Sequence, residues 1–70
     1  MKIEVGKNYK HDKRNLYVMA VEKDPLDFII IQYSDGRIGK LIQDAPGWKE
    51  INDKEWLKVI EKHRKEKKEE

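Results

Sequence analysis

The sequence predicts a mainly β domain, a small five-stranded barrel with a C-terminal α-helix. Short apolar runs rich in Ile, Val and Tyr are separated by polar turn signals, as in an all-β domain. Asp35-Gly36 stands between two such runs, the pattern of a hairpin. From Asn52 onward the apolar spacing changes from that of strands to that of a helix. Seventy residues make a single domain, 1–70, because a chain this short buries only about 60% of its unfolded surface and has nothing left for a second core. The barrel is expected over about 2–51, the helix over about 53–66, and a frayed charged tail over 67–70.

The first strand is expected where Ile3 and Val5 alternate with Lys2 and Glu4, with Gly6 permitting a bend and Tyr9 and His11 continuing the strand. Residues 12–15 are wholly polar and form the tip before strand two, residues 16–21. Asp24-Pro25 ends that strand, since Pro offers no ladder N–H. Strand three covers residues 28–33 and is rich in β-branched Ile. Ser34-Asp35-Gly36-Arg37 predicts a two-residue type I′ turn, with both central residues at positive φ, leading into strand four at 38–42. Ala45-Pro46-Gly47-Trp48 reads as a type II turn before a fifth strand at 48–51.

Asn52 caps the helix, with Glu55 three residues on as in a capping box and Ile51 and Trp56 placed for a hydrophobic staple. Trp56, Val59, Ile60 and His63 form one apolar stripe, and Lys54, Lys58, Glu61, Lys62 and Lys65 cover the remainder. Strand three is apolar on both sides, with Ile29, Ile31 and Tyr33 against Phe28 and Ile30. The helix stripe is the available cover for part of the second side, and a homodimer seam is the alternative.

Charged residues make up 43% of the chain with no Thr and no Cys, an ionic composition that predicts a thermostable protein without disulfides or thiolate chemistry. No apolar stretch approaches the ~18 residues of a membrane span, so a cytoplasmic protein without a membrane partner is expected. The net charge of +2 is far from strongly basic, but its distribution is uneven: residues 1–23 hold six basic against three acidic side chains. The inventory argues against an enzyme. Ser34, the only Ser, lies in a turn with no His or Lys predictably beside it, His11 and His63 have no partner at metal-ligand spacing, and the glycines are scattered at bends. Asp24 and Asp27 are explained as turn residues. No cofactor, metal or small-molecule substrate is expected.

Two candidate surfaces remain. Lys7, Lys10, Lys13 and Arg14 interleave with Tyr9, His11 and Tyr17, the residue types that combine phosphate attraction with base stacking, and a solvated loop of a Lys-rich protein is the structural alternative. Tyr17, Phe28, Tyr33 and Trp48 are the candidates for a protein interface or an aromatic cage, and Trp56 is expected in the core. The expected partner is therefore nucleic acid or, on the rival reading, another protein met by an adaptor or inhibitor through these aromatics or a sheet edge, with the chain a monomer or homodimer.

The run Leu16-Tyr17-Val18-Met19-Ala20-Val21, followed by Phe28-Ile29-Ile30-Ile31-Gln32-Tyr33-Ser34-Asp35-Gly36-Arg37, resembles the central hairpins of Tudor-like and other SH3-like barrels over roughly residues 5–51. That resemblance implies the barrel, and it implies a cage for methylated Lys or Arg if Tyr17, Phe28, Tyr33 and Trp48 converge. A weaker likeness, carried by Tyr33-Ser34-Asp35-Gly36, Gly39 and Asp44-Ala45-Pro46, is to the small archaeal chromatin proteins of about seven kilodaltons. This chain departs from them in a shorter segment before Asp44 and in many more acidic residues.

Overall fold

The computed structural model describes residues 2–68, with side chains through Arg64. Strands β1 (Asn8–His11), β2 (Tyr17–Lys23), β3 (Phe28–Tyr33), β4 (Ile38–Ile42) and β5 (Trp48–Ile51) form one antiparallel sheet in the order β4-β3-β2-β1-β5, followed by helix α1 (Asp53–Lys68). Successive strand residues point to opposite faces, so the register sorts every side chain onto one of two surfaces. Tyr9 lies opposite Val18, Val18 opposite Tyr33, Ala20 opposite Ile31 and Ile29 opposite Leu41. These residues make the inner face. Tyr9, Val18, Ala20, Ile29 and Ile31 are all buried there with Ile3, and Tyr33, Leu41, Ala45 and Trp48 pack around them.

The outer face carries Asn8, Lys10, Tyr17, Met19, Phe28, Ile30 and Gln32. Helix α1 crosses one half of it. Asn52 Oδ1 accepts the Glu55 N–H at 2.8 Å, the expected cap, and Trp56 is buried. The helix is tied at its start and in its third turn: Asn8 Nδ2 donates to Asp53 Oδ1 at 2.8 Å, and Ser34 Oγ lies 3.0 Å from His63 Nε2. Cover for the second side of the sheet thus comes from the Trp56 stripe. It stops short of the opposite half, where Phe28 stands across from Ile42 and both are exposed.

Several expectations are corrected. Residues 2–7 form no strand, and β1 begins at Asn8. Ile3 is buried because its segment lies across the core, its N–H donating to Gln43 C=O at 2.8 Å, and Val5 beside the Gly6 turn faces solvent. The β3–β4 loop is not type I′: Gly36 has φ +97° but Asp35 is not at positive φ. Gly36 N–H donates to Tyr33 C=O at 2.9 Å and Tyr33 N–H to Arg37 C=O at 2.8 Å, the three-residue loop with a left-handed Gly. Strand β2 runs on to Lys23 with an irregularity between Ala20 and Glu22, which turns Val21 outward. The helix continues through Lys68, past the expected end at 66, because Lys and Glu propagate a helix well even without an apolar stripe. Residues 69 and 70 of the expected frayed tail lie outside the described residues.

Candidate nucleic-acid interface

The loop joining β1 to β2 is built around His11. Its Nδ1 accepts the N–H groups of Lys13 at 3.1 Å and Arg14 at 3.2 Å and lies 3.8 Å from Asp12 Oδ1. His11 N–H donates to Leu16 C=O, closing the loop, and the ring stands edge-on to Trp48 at 4.9 Å between centroids. His11 therefore shapes the loop and presents the side chains of Lys13 and Arg14, both exposed and without an ion pair among the described residues.

Two members of the expected basic–aromatic set do not serve it. Tyr9 is wholly buried in the core, its hydroxyl accepting the Glu4 N–H at 2.8 Å, so it has no face to offer a base. Its position opposite Val18 sends it inward, the side on which alternation counted from Ile3 also places it. Lys7 is held by Glu4 at 2.9 Å and Glu50 at 3.5 Å, and these carboxylates raise its pKa above the ordinary lysine value. Its charge is already matched.

Lys10 and Tyr17 are brought together. They are register partners on the outer face, with the Lys10 ammonium 5.7 Å from the centre of the Tyr17 ring. On its other side Lys10 stands opposite Lys49 of β5. The row therefore reads Lys49, Lys10, Tyr17, two like charges directly opposed, which is locally unfavourable until a counter-charge arrives. Lys49 is absent from the sequence-based set, because only the β1–β5 register brings it there. Beyond Tyr17 the row meets the second half of α1 at a hollow of ≈ 180 Å³ lined by Asn15, Tyr17, Val59, Lys62 and His63.

The expected aromatic cage is not assembled. Tyr33 and Trp48 are packed against the core, while Tyr17 and Phe28 are on the outer face. Phe28 and Tyr33 occupy opposite ends of β3, some ~17 Å apart at strand rise. The Tyr33 ring instead lies against Gly39, where an added Cβ would meet its Cε2 at 3.1 Å, and holds the Arg37 guanidinium 5.3 Å from its centre.

Ser34 does have a histidine beside it, contrary to expectation: His63 reaches it from the helix. A hydroxyl bonded to an imidazole is the first half of an activated nucleophile, but among the described residues no carboxylate bonds the other ring nitrogen. The neighbouring Asp35 is engaged with Arg37, whose N–H and Nε bond its two oxygens at 3.1 and 2.8 Å. The Arg37 N–H is the largest influence on the Asp35 carboxyl; with the guanidinium and His63 it outweighs desolvation and lowers the pKa below the ordinary value. Among the described residues no group of His, Asp and Glu is placed to hold a metal, and no helix is long and apolar enough to cross a membrane. No family model matches this chain, and no curated protein or solved structure matches it either.

Proposed function

We propose that this chain is a non-catalytic binding module whose outer face takes the backbone of a nucleic acid along Lys49, Lys10 and Tyr17, with Lys13 and Arg14 at its margin. The observation that carries this reading is the opposition of Lys10 and Lys49 with no carboxylate between them. Four other basic side chains are matched, Lys7 with Glu4, Lys23 with Asp27, Arg37 with Asp35, and Lys40 with Asp24. Unmatched cations beside a half-buried tyrosine are what phosphate neutralisation and base stacking use. The SH3-like or Tudor-like barrel belongs to the same reading, and the Ile3–Gln43 bond, which carries residues 2–7 across to the end of β4, supports it. The cytoplasmic setting and heat stability expected from composition go with it.

The test is binding of mixed-sequence single-stranded and duplex oligonucleotides across a salt series. Charge reversal at Lys10 and Lys49 together should weaken binding and flatten the slope of log K against log salt by about 0.7–0.9 for each phosphate no longer neutralised. No binding to any strand at low salt removes the reading.

A protein partner is the second reading, and it is favoured by the other half of the outer face. Phe28, Ile38 and Ile42 are exposed there on β3 and the edge strand β4. Lys40, in the middle of that edge and paired with Asp24, interrupts the apolar run. Recovery of a specific protein from host extract that disappears with Ile38→Lys, while oligonucleotide binding persists, would support this second surface.

A further inference from the structure

We infer that the hollow between the β1–β2 loop and the second half of α1 is a phosphate-binding subsite. Its lining offers a carboxamide from Asn15, a phenol from Tyr17, an ammonium from Lys62 and an imidazole from His63, over the apolar side chain of Val59. Four groups able to donate hydrogen bonds converge, and no carboxylate lines the space. The neighbouring hollows differ in that respect: one is lined by Asp35 beside Ser34 and Arg64, the other by Asp12 beside His11 and Lys13. A volume of ≈ 180 Å³ is many times the ~10–15 Å³ needed for a single water, so a tetrahedral oxyanion has room.

The donors are also held in place. Ser34 Oγ engages His63 Nε2 at 3.0 Å and fixes the ring against the β3–β4 hairpin, which leaves Nδ1 for a ligand. Lys10 sits over the Tyr17 ring and Lys62 makes no ion pair among the described residues, while Asp35, the carboxylate that His63 acts on, is engaged by Arg37. The apolar stripe of α1 sets Val59 and His63 on the sheet side, and Lys62 follows at the rim. A phosphate in this hollow lies at the end of the Lys49–Lys10–Tyr17 row. The source of that phosphate, an internal diester or a terminal monoester of a strand, rests on the nucleic-acid reading, whereas the oxyanion chemistry of the hollow does not.

The experiment is an NMR titration of the full chain with three probes: inorganic phosphate, a mixed-sequence single strand with a 5′-phosphate, and the same strand without it. The expected result is movement of the Asn15 side-chain amide and the His63 ring signals with inorganic phosphate, and with at least one strand. A preference of severalfold for the phosphorylated strand identifies the terminal monoester, and equal binding identifies the diester. Lys62→Gln should abolish the phosphate-induced shifts and weaken strand binding severalfold, while Lys54→Gln, on the same helix away from the hollow, should change neither. Strand binding that moves Lys10, Lys13 and Arg14 but leaves Asn15 and His63 unmoved, with Lys62→Gln equal to the parent, overturns the subsite and leaves the wider reading standing. Inorganic phosphate seated in the hollow with no strand bound at low salt has the opposite meaning. If no probe binds, both are overturned.

Discussion

The hydroxyl of Ser34 and Nε2 of His63 lie 3.0 Å apart, joining the turn after β3 to the third turn of α1 across 29 residues of sequence. The bond pins the helix beyond the reach of Trp56, its best-buried side chain. Ser34→Ala should cost about 1 kcal/mol, the usual net worth of one such bond. Hydrogen exchange checks it: amides of residues 59–64 should exchange faster in the variant, while those of β2 and β3 change only with global stability.

Trp56 carries most of the helix docking. Trp56→Ala should destabilise by about 3–5 kcal/mol in urea unfolding, from the burial forgone and the cavity left behind. Its neighbour Leu57 is exposed on the far side of the helix, and Leu57→Ala should fall within about 0.5 kcal/mol of the parent. Similar losses for the two variants would contradict the docked helix.

Gly36 and Gly47 both have left-handed backbones, at φ +97° and +85°, but only one is crowded. An added Cβ at Gly36 meets nothing within 4 Å, whereas at Gly47 it meets His11 Nε2 at 3.0 Å and Asp12 Oδ1 at 3.3 Å. Gly36→Ala should cost the ~1–2 kcal/mol of the left-handed backbone alone. Gly47→Ala should cost more and should shift the His11 and Trp48 ring signals, because His11 is the support of the β1–β2 loop.

Asp24 predicts an acid-dependent loss of stability. Its carboxylate accepts the N–H groups of Leu26 at 2.8 Å and Phe28 at 3.1 Å and pairs with Lys40 at 3.1 Å. Desolvation pushes its pKa up as the largest single influence, but Lys40 and the two amides together prevail and hold it below the ordinary 3.8. A folded pKa below the unfolded one stabilises above the unfolded value, and that contribution disappears as pH falls from about 4 through the lower folded value. In Asp24→Asn, which keeps an acceptor for the turn, stability should depend less steeply on pH below about 4 than in the parent. Equal slopes in acid unfolding would refute the assignment.

How much was legible in the sequence follows from how local each signal is. Strands β3, β4 and β5 and the start of α1 match their expected bounds, because Asp-Gly, Pro-Gly and an Asn cap act within a few residues. Strand β1 was displaced because the alternation of Ile3 and Val5 has the right period for a strand and nothing local shows that residues 2–7 cross the core instead. The basic cluster was half legible. Lys10 and Tyr17 meet as register partners, but Tyr9 turns inward and Lys7 is captured by Glu4 and Glu50, one of them distant in the chain.

By itself the sequence determined a five-stranded β-rich chain, the positions of its principal turns, and a capped C-terminal helix with one apolar stripe, since hydrophobic period and turn chemistry are properties of short windows. Tertiary structure alone decided which cations oppose one another, which aromatics are buried, and that Ser34 and His63 meet. Those outcomes depend on strand register and on how the helix crosses the sheet. A shift of one residue in register would exchange the two faces, so no short window contains the answer.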